Sequence, residues 1–256
     1  MIDNLLLKAL LLFLVAFIGY MHSYWGSTMH NRPLIMATLV GALLGDVKTG
    51  IMIGTTLELA FLGAVPIGAS NPPDMTSGAI IATAFTILYG ASAGVAVIIA
   101  IPVAKLVSLF DNFQMMHLLT KIAHVCDAAA ELADVRKIEK IVVIASVGNK
   151  MILALLVAIC FCLSSFIIEP FINFLPQWVI HGMDIVAKIV PALSIATLAR
   201  MIISKDNWAY LGLGFLFSAY LGISTLKVGL VGVFIAGFVF YKESKKMEVN
   251  VDDNEF

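Results

Sequence analysis

The apolar runs of this sequence come in two lengths, and that difference restricts the fold more than any single motif. Runs such as residues 5–20, 75–103, 141–168 and 178–203 are of the order of the ~20 apolar residues that a helix needs to cross a hydrocarbon core about 30 Å thick. Two others, residues 34–44 and 51–65, are too short or too polar-flanked for a lipid-facing span, and Gly45-Asp46-Val47-Lys48-Thr49-Gly50 separates them. This is the pattern of broken or re-entrant helices, which protein must cover because hydrocarbon cannot satisfy free backbone N–H and C=O groups. The chain is 61% hydrophobic and 13% charged, against about 25% charged in a soluble domain. The expected fold is therefore all-α: a polytopic integral membrane protein, residues 1–256 forming one membrane-embedded domain.

Several functions are excluded or weakened by what the chain carries. A formal net charge of −1 gives no basic face for nucleic acid. Cys160 and Cys162 stand two apart in an apolar run and Cys126 stands alone, so neither a disulfide framework nor a zinc spacing is present. His117 and His124 are seven residues apart, about 10.5 Å along a helix, too far to chelate one ion; no metal site and no cofactor is expected. Ser23, Ser27 and His30 lack the orienting acid of a nucleophilic site. Residues 5–20 read as a retained span, since the bulky residues after Tyr20 offer no small-residue cleavage site.

The polar features concentrate between Asp46 and Asp74. Glu58 sits among Leu57, Leu59, Ala60 and Phe61, where an isolated ionised carboxylate is far too costly. Lys48 is ten residues away, about 15 Å of helical rise, so it cannot be the partner within one helix. A cation from a distant part of the chain or another subunit, protonation, or the hydroxyl groups of a ligand remain as alternatives. Residues 66–74 cannot be helical. Pro72 and Pro73 remove donors and push Asn71 toward extended backbone, and Gly68 permits dihedrals that other residues avoid. Asn71 and Asp74 are thereby presented on a stiff turn, and Asp74 can cap a helix beginning near Met75.

These residues carry a resemblance. Arg32-Pro33, Gly45-Asp46-Val47-Lys48-Thr49-Gly50, Glu58-Leu59, the run from Phe61 to Ala69, and Pro72-Pro73-Asp74 resemble the IIC component of the mannose-fructose-sorbose family of phosphotransferase-system permeases. The resemblance implies a sugar-translocating subunit of the bacterial inner (plasma) membrane, not itself an enzyme. Its implied partners are a membrane subunit, IID, and the cytoplasmic IIB and IIA components, which carry the phosphoryl group to the sugar; a trimer of IIC–IID pairs is implied as well. Carried onto this chain, the residues expected to touch sugar are Glu58, Gly68, Ala69, Asn71 and Asp74. Glu58 and Asp74 would accept hydrogen bonds, Asn71 would donate and accept, and Gly68-Ala69 would offer backbone groups.

The remaining chain reads as scaffold. Residues 104–150 are the least apolar internal part and are expected as amphipathic connecting helices, with Leu106, Leu109, Phe113, Met116, Leu119 and Ile122 at three- and four-residue spacings. Asp184 and Lys188 are four apart and are expected to pair on one helix face, and Pro191 is a candidate hinge. Residues 208–241, with Lys227, repeat the short-run, polar-turn, short-run layout and form a candidate inverted repeat; Lys227 is thereby a candidate partner for Glu58. Lys242, Lys245 and Lys246 open the polar tail, residues 242–256, and favour a cytoplasmic C-terminus. The competing reading is an ion-coupled secondary transporter in which Glu58 or Asp74 carries the ion.

Overall fold

The computed structural model describes residues 4–26, 28–64, 71–174, 176–205 and 207–252, with side chains omitted at 164–174 and 243–252. Gly68 and Ala69 lie outside the described residues. Helices follow one another along the chain: α1 (Leu5–Tyr20), α2 (Pro33–Leu44), α3 (Val47–Phe61), α4 (Met75–Tyr89), α5 (Ala93–Gln114), α6 (Thr120–Glu131), α7 (Val135–Phe174), α8 (Gln177–Ile202), α9 (Trp208–Ala219) and α10 (Thr225–Asp252). No strand occurs among the described residues, so the fold is all-α. Among the described residues, five stretches are long and apolar enough to cross a membrane: Leu5–Ser23, Ala93–Glu131, Val135–Leu163, Gln177–Ile202 and Thr225–Lys242. The expected single domain comprises two compact units, Met1–Leu198 and Ala199–Phe256.

The first unit is built around α4, in which every residue from Thr76 to Thr86 is buried. Leu12 of α1, Met36 of α2, Leu57 of α3, Val97 of α5 and Leu153 and Phe161 of α7 close around Ile80, Ile81 and Phe85. In lipid such burial gains little from the hydrophobic effect, because hydrocarbon tails are as apolar as the side chains. Close packing and polar contacts between helices hold the unit together instead.

α2 and α3 form the short pair anticipated from the sequence. With 12 and 15 residues they are about 18 and 22 Å long, each short of the hydrocarbon core. Pro33 starts α2, where its missing N–H costs nothing. Gly45 ends α2 in the left-handed region at φ +89°, and Asp46 caps α3 by accepting the Thr49 N–H at 3.0 Å. The helices then run antiparallel in backbone contact. A Cβ on Gly50 would stand 2.6 Å from the Ala37 carbonyl oxygen and 2.9 Å from the Gly41 Cα, so only glycine fits the crossing.

α5 and α6 are one continuous rod joined by a π turn, Met115–Leu119. The residues expected to share a single amphipathic stripe therefore divide into two faces. Leu106, Leu109, Phe113 and Met116 are exposed along one side, whereas Leu119 and Ile122 are half-buried. Residues 104–150 as a whole occupy the second half of α5, the π turn, α6 and the start of α7.

Asp184 and Lys188 do not form the expected pair. Asp184 Oδ1 accepts the Ser92 hydroxyl at 2.6 Å and the Gly94 N–H at 3.1 Å, so α8 caps the start of α5, where unsatisfied donors and the positive end of the helix dipole favour a carboxylate. Ser194 of α8 also donates to the Ala60 carbonyl at 2.6 Å. Asp184→Ala is expected to lower the stability of the purified protein by about 1–2 kcal/mol, read as a fall in Tm, while Lys188→Ala leaves Tm unchanged. The helix continues through Pro191.

The second unit consists of α9 and α10 packed on each other. Its turn carries Gly222 at φ +61°, as the α2–α3 turn carries Gly45, and α9 has the same 12 residues as α2. α10, at 28 residues, is nearly twice the length of α3.

Candidate functional site

The two carboxylates singled out by the sequence lie on different structural parts. Glu58, near the end of α3, meets the start of α2. The Arg32 Nε donates to Glu58 Oε1 at 2.6 Å, a second guanidinium nitrogen reaches the same oxygen, and the Leu34 N–H donates to Oε2 at 3.2 Å. The partner of Glu58 is thus Arg32, not Lys227. Both Glu58 oxygens are engaged, and the pair closes the open end of the α2–α3 hairpin. Arg32 Nη1 also lies 3.6 Å from the Met75 sulfur, which ties the hairpin to the first residue of α4.

Asp74 caps α4 and accepts at Oδ2 from the Tyr20 hydroxyl at 2.6 Å and the Ser77 N–H at 3.0 Å. The turn preceding it is fastened along one stripe of α5. Asn71 Nδ2 donates to Asn112 Oδ1 at 2.6 Å, the Ser108 hydroxyl to the Pro72 carbonyl at 3.1 Å, and the Asp74 N–H to the Ala104 carbonyl at 3.0 Å. Ala104, Ser108 and Asn112 are spaced four apart, so they share a helix face. Prolines cannot donate, and α5 supplies a donor to one carbonyl and acceptors for the neighbouring N–H and amide. This is how a non-helical segment is satisfied within a helical bundle.

Beneath the turn lies a cavity of about 290 Å³ lined by Tyr20, His22, Asn71, Asp74, Asp111 and Lys150, with Val107 and Leu153 among its apolar contacts. It is at the lower end of the roughly 300–1,000 Å³ of small-molecule sites and has their mixture of apolar wall and convergent polar groups. Asn71 and Asp74 are brought together here; Glu58 does not line it. Tyr20, Asp111 and Lys150 were missed by the sequence reading. Lys150 had a legible signal, as the one charged residue in the apolar run 141–168.

A larger cavity of about 700 Å³ lies between α3, α5 and α8, lined in part by Thr55, Thr56, Asp184 and Lys188. Its polar groups are mostly spent. Thr55 and Thr56 donate to the Ile51 and Met52 carbonyls at 2.8 and 3.0 Å, and Asp184 caps α5. The smaller cavity is therefore the better candidate for a polar ligand. The two other histidines considered have local contacts: His117 lies edge-on to Phe113 and His124 faces Asp127 at 3.5 Å.

Residues 6–238 match the family described as the PTS system sorbose-specific IIC component. The chain belongs to this family of phosphotransferase-system sugar permeases. It is 33% identical over 232 residues to the sorbose-specific EIIC component of Klebsiella pneumoniae, covering 90% of this chain and 86% of that one. A solved structure described as a membrane protein superposes with a TM-score of 0.81 at 29% identity, covering 92% of this chain and 95% of that chain. The cryo-EM structure of the mannose transporter ManYZ in complex with microcin E492 superposes with a TM-score of 0.58 at 29% identity, covering 94% and 97%. The IIC chain described here is thus a multi-pass membrane component of a sugar phosphotransferase system, and its α2–α3 hairpin and Asn71–Asp74 turn lie inside the matched region.

Proposed function

We propose that this IIC chain binds a hexose-type sugar in the cavity beneath the Asn71–Asp74 turn and presents it, through alternating access, to a cytoplasmic IIB partner that phosphorylates it. What carries the reading is the arrangement of that cavity in a member of a sugar-permease family: a proline-stiffened turn, satisfied by α5, holds Asn71 and Asp74 over a small polar space. Asn71 keeps its carbonyl oxygen and one N–H for sugar hydroxyls, and Asp74 keeps Oδ1, among the contacts of the described residues. Glu58 serves as a positioning residue, holding the hairpin closed beside the first turn of α4. Gly68 and Ala69, outside the described residues, are proposed as further sugar contacts.

In this scheme the chain performs no phosphoryl transfer. It works with a IID membrane subunit in a trimer of IIC–IID pairs, with IIA recharging IIB, in the bacterial inner membrane. Lys242, Lys245 and Lys246 place the C-terminus on the cytoplasmic side by the positive-inside tendency.

The test is uptake of radiolabelled sugars into membrane vesicles containing the chain and its IID partner. Label is expected to accumulate as sugar phosphate only with phosphoenolpyruvate and the complete set of soluble components. Asn71→Ala is expected to reduce accumulation at least tenfold through loss of two or more hydrogen bonds, with membrane insertion unchanged. Accumulation of unmodified sugar that follows an imposed proton or sodium gradient would overturn the scheme and make Asp74 the candidate ion carrier.

A further inference from the structure

Two charged residues of the cavity have no role yet. Asp111 reaches it from α5 and Lys150 from α7. Asp111 Oδ1 is buried and receives no hydrogen bond among the described residues. The ion pairs formed by the described residues are Arg32–Glu58 and His124–Asp127. Lys150 therefore bridges neither Asp111 nor Asp74, although all three line the same space.

Asp74 is already supplied with donors by Tyr20 and Ser77. Asp111 and Lys150 are left as an acceptor without a donor and a donor without an acceptor, opposite in sign and held apart by the cavity. Leaving either charge uncompensated among packed helices is costly. The missing partner has to donate to one and accept from the other, and a carboxylate on it would be a third anion beside Asp111 and Asp74 against the one cation, Lys150. A hydroxyl does both, and a sugar presents several on one rigid ring.

We infer that Asp111 and Lys150 contact the sugar directly and that Asp111, with Asp74, sets its charge class, selecting an uncharged polyhydroxylated sugar over one that carries a carboxylate. The inference rests on the cavity being the sugar site. A ligand carboxylate would satisfy Lys150 but stand as a further anion beside Asp111 and Asp74. A neutral hexose satisfies both residues at once, with Asn71 and Asp74 holding its remaining hydroxyls.

The test is equilibrium binding of radiolabelled D-mannose, L-sorbose and D-glucuronate to membrane vesicles containing the full chain with its membrane partner. The neutral sugars are expected to bind at least tenfold more tightly than D-glucuronate. Asp111→Asn and Lys150→Gln are each expected to weaken neutral-sugar binding about tenfold or more, and Asp111→Asn to shrink that preference. Binding by both variants within twofold of the parent, while Asn71→Ala loses binding, overturns this inference and leaves the site intact. Unaltered binding by Asn71→Ala overturns the site itself. Binding of D-glucuronate as tightly as the neutral sugars overturns the charge selection. Where a variant does not insert, the parent chain supplies a second measurement: reductive methylation of Lys150, followed by mass spectrometry, is expected to slow about tenfold when the better-binding neutral sugar is present. An unchanged methylation rate overturns the contact.

Discussion

Gly50→Ala is expected to disable the protein with the addition of one methyl group. Its Cβ would fall 2.6 Å from the Ala37 carbonyl oxygen and 2.9 Å from the Gly41 Cα. Both are backbone atoms, which cannot swing aside as the end of a long side chain can. α2 and α3 must separate, and the same contact surface continues at Gly54, where a Cβ would lie 3.0 Å from the Ala37 Cβ. Overpacking of this kind costs about 1–3 kcal/mol or more, and here it also displaces Arg32 from Glu58 at the far end of the hairpin. The expected result is a lowered Tm of the purified protein and loss of sugar accumulation in vesicles. Gly148→Ala in α7 is the control, because nothing lies within 4 Å of its added Cβ. Equal Tm values for the two variants would show that the hairpin crossing tolerates expansion.

The second large effect is expected from separating Arg32 and Glu58. Their side chains are 28% and 24% exposed, so each charge is mostly withdrawn from solvent and relies on the other. Arg32→Met or Glu58→Met alone leaves one uncompensated charge and should destabilise by about 2–4 kcal/mol, somewhat less than for a fully buried pair. The double variant removes both charges and is expected to cost clearly less than the two single changes combined. Thermal unfolding of the four proteins closes the cycle. Additive losses would show that the two residues act independently and that the contact between them does not govern stability. Arg32→Lys should fall between parent and Arg32→Met, since an ammonium replaces the charge but not the planar fork.

Much of the architecture can be derived from the residues. Apolar run lengths single out the α2–α3 pair as short, although the run 75–103 divides at Gly90 into a 15-residue α4 and the start of α5, and Gly45-Asp46 marks the turn of the pair because one residue tolerates a left-handed backbone and the next caps a helix. The pairing of Glu58 was also within reach. Once Gly41 and Gly50 face each other in an antiparallel hairpin, counting nine residues back and eight forward arrives at Arg32 and Glu58. Asn71 and Asp74 were legible because prolines and glycines have strong local consequences. Lys150 stood out as the one charge in its apolar run, but its convergence with Tyr20 and Asp111 was not legible, since no local rule states which of three separate helices will meet beneath that turn. Asp184 failed for the related reason that a partner four residues away was available in sequence, whereas the free N–H groups at the start of α5 offered a carboxylate more in space.

The π turn at Met115–Leu119 has an electrostatic consequence. The inward residues of α5 include Ala100, Ala104, Val107 and Gln114; in α6 the line resumes at Ile122, Cys126 and Ala129, of which Ala129 is buried and the other two half-buried. At 3.6 residues per turn, an uninterrupted helix would bring the line to Lys121 and Val125 instead. The wide turn absorbs one residue and advances the helical phase, so a small apolar seam meets α7 while Lys121 rotates outward. One extra residue in a single turn thereby spares the bundle an inward-facing lysine.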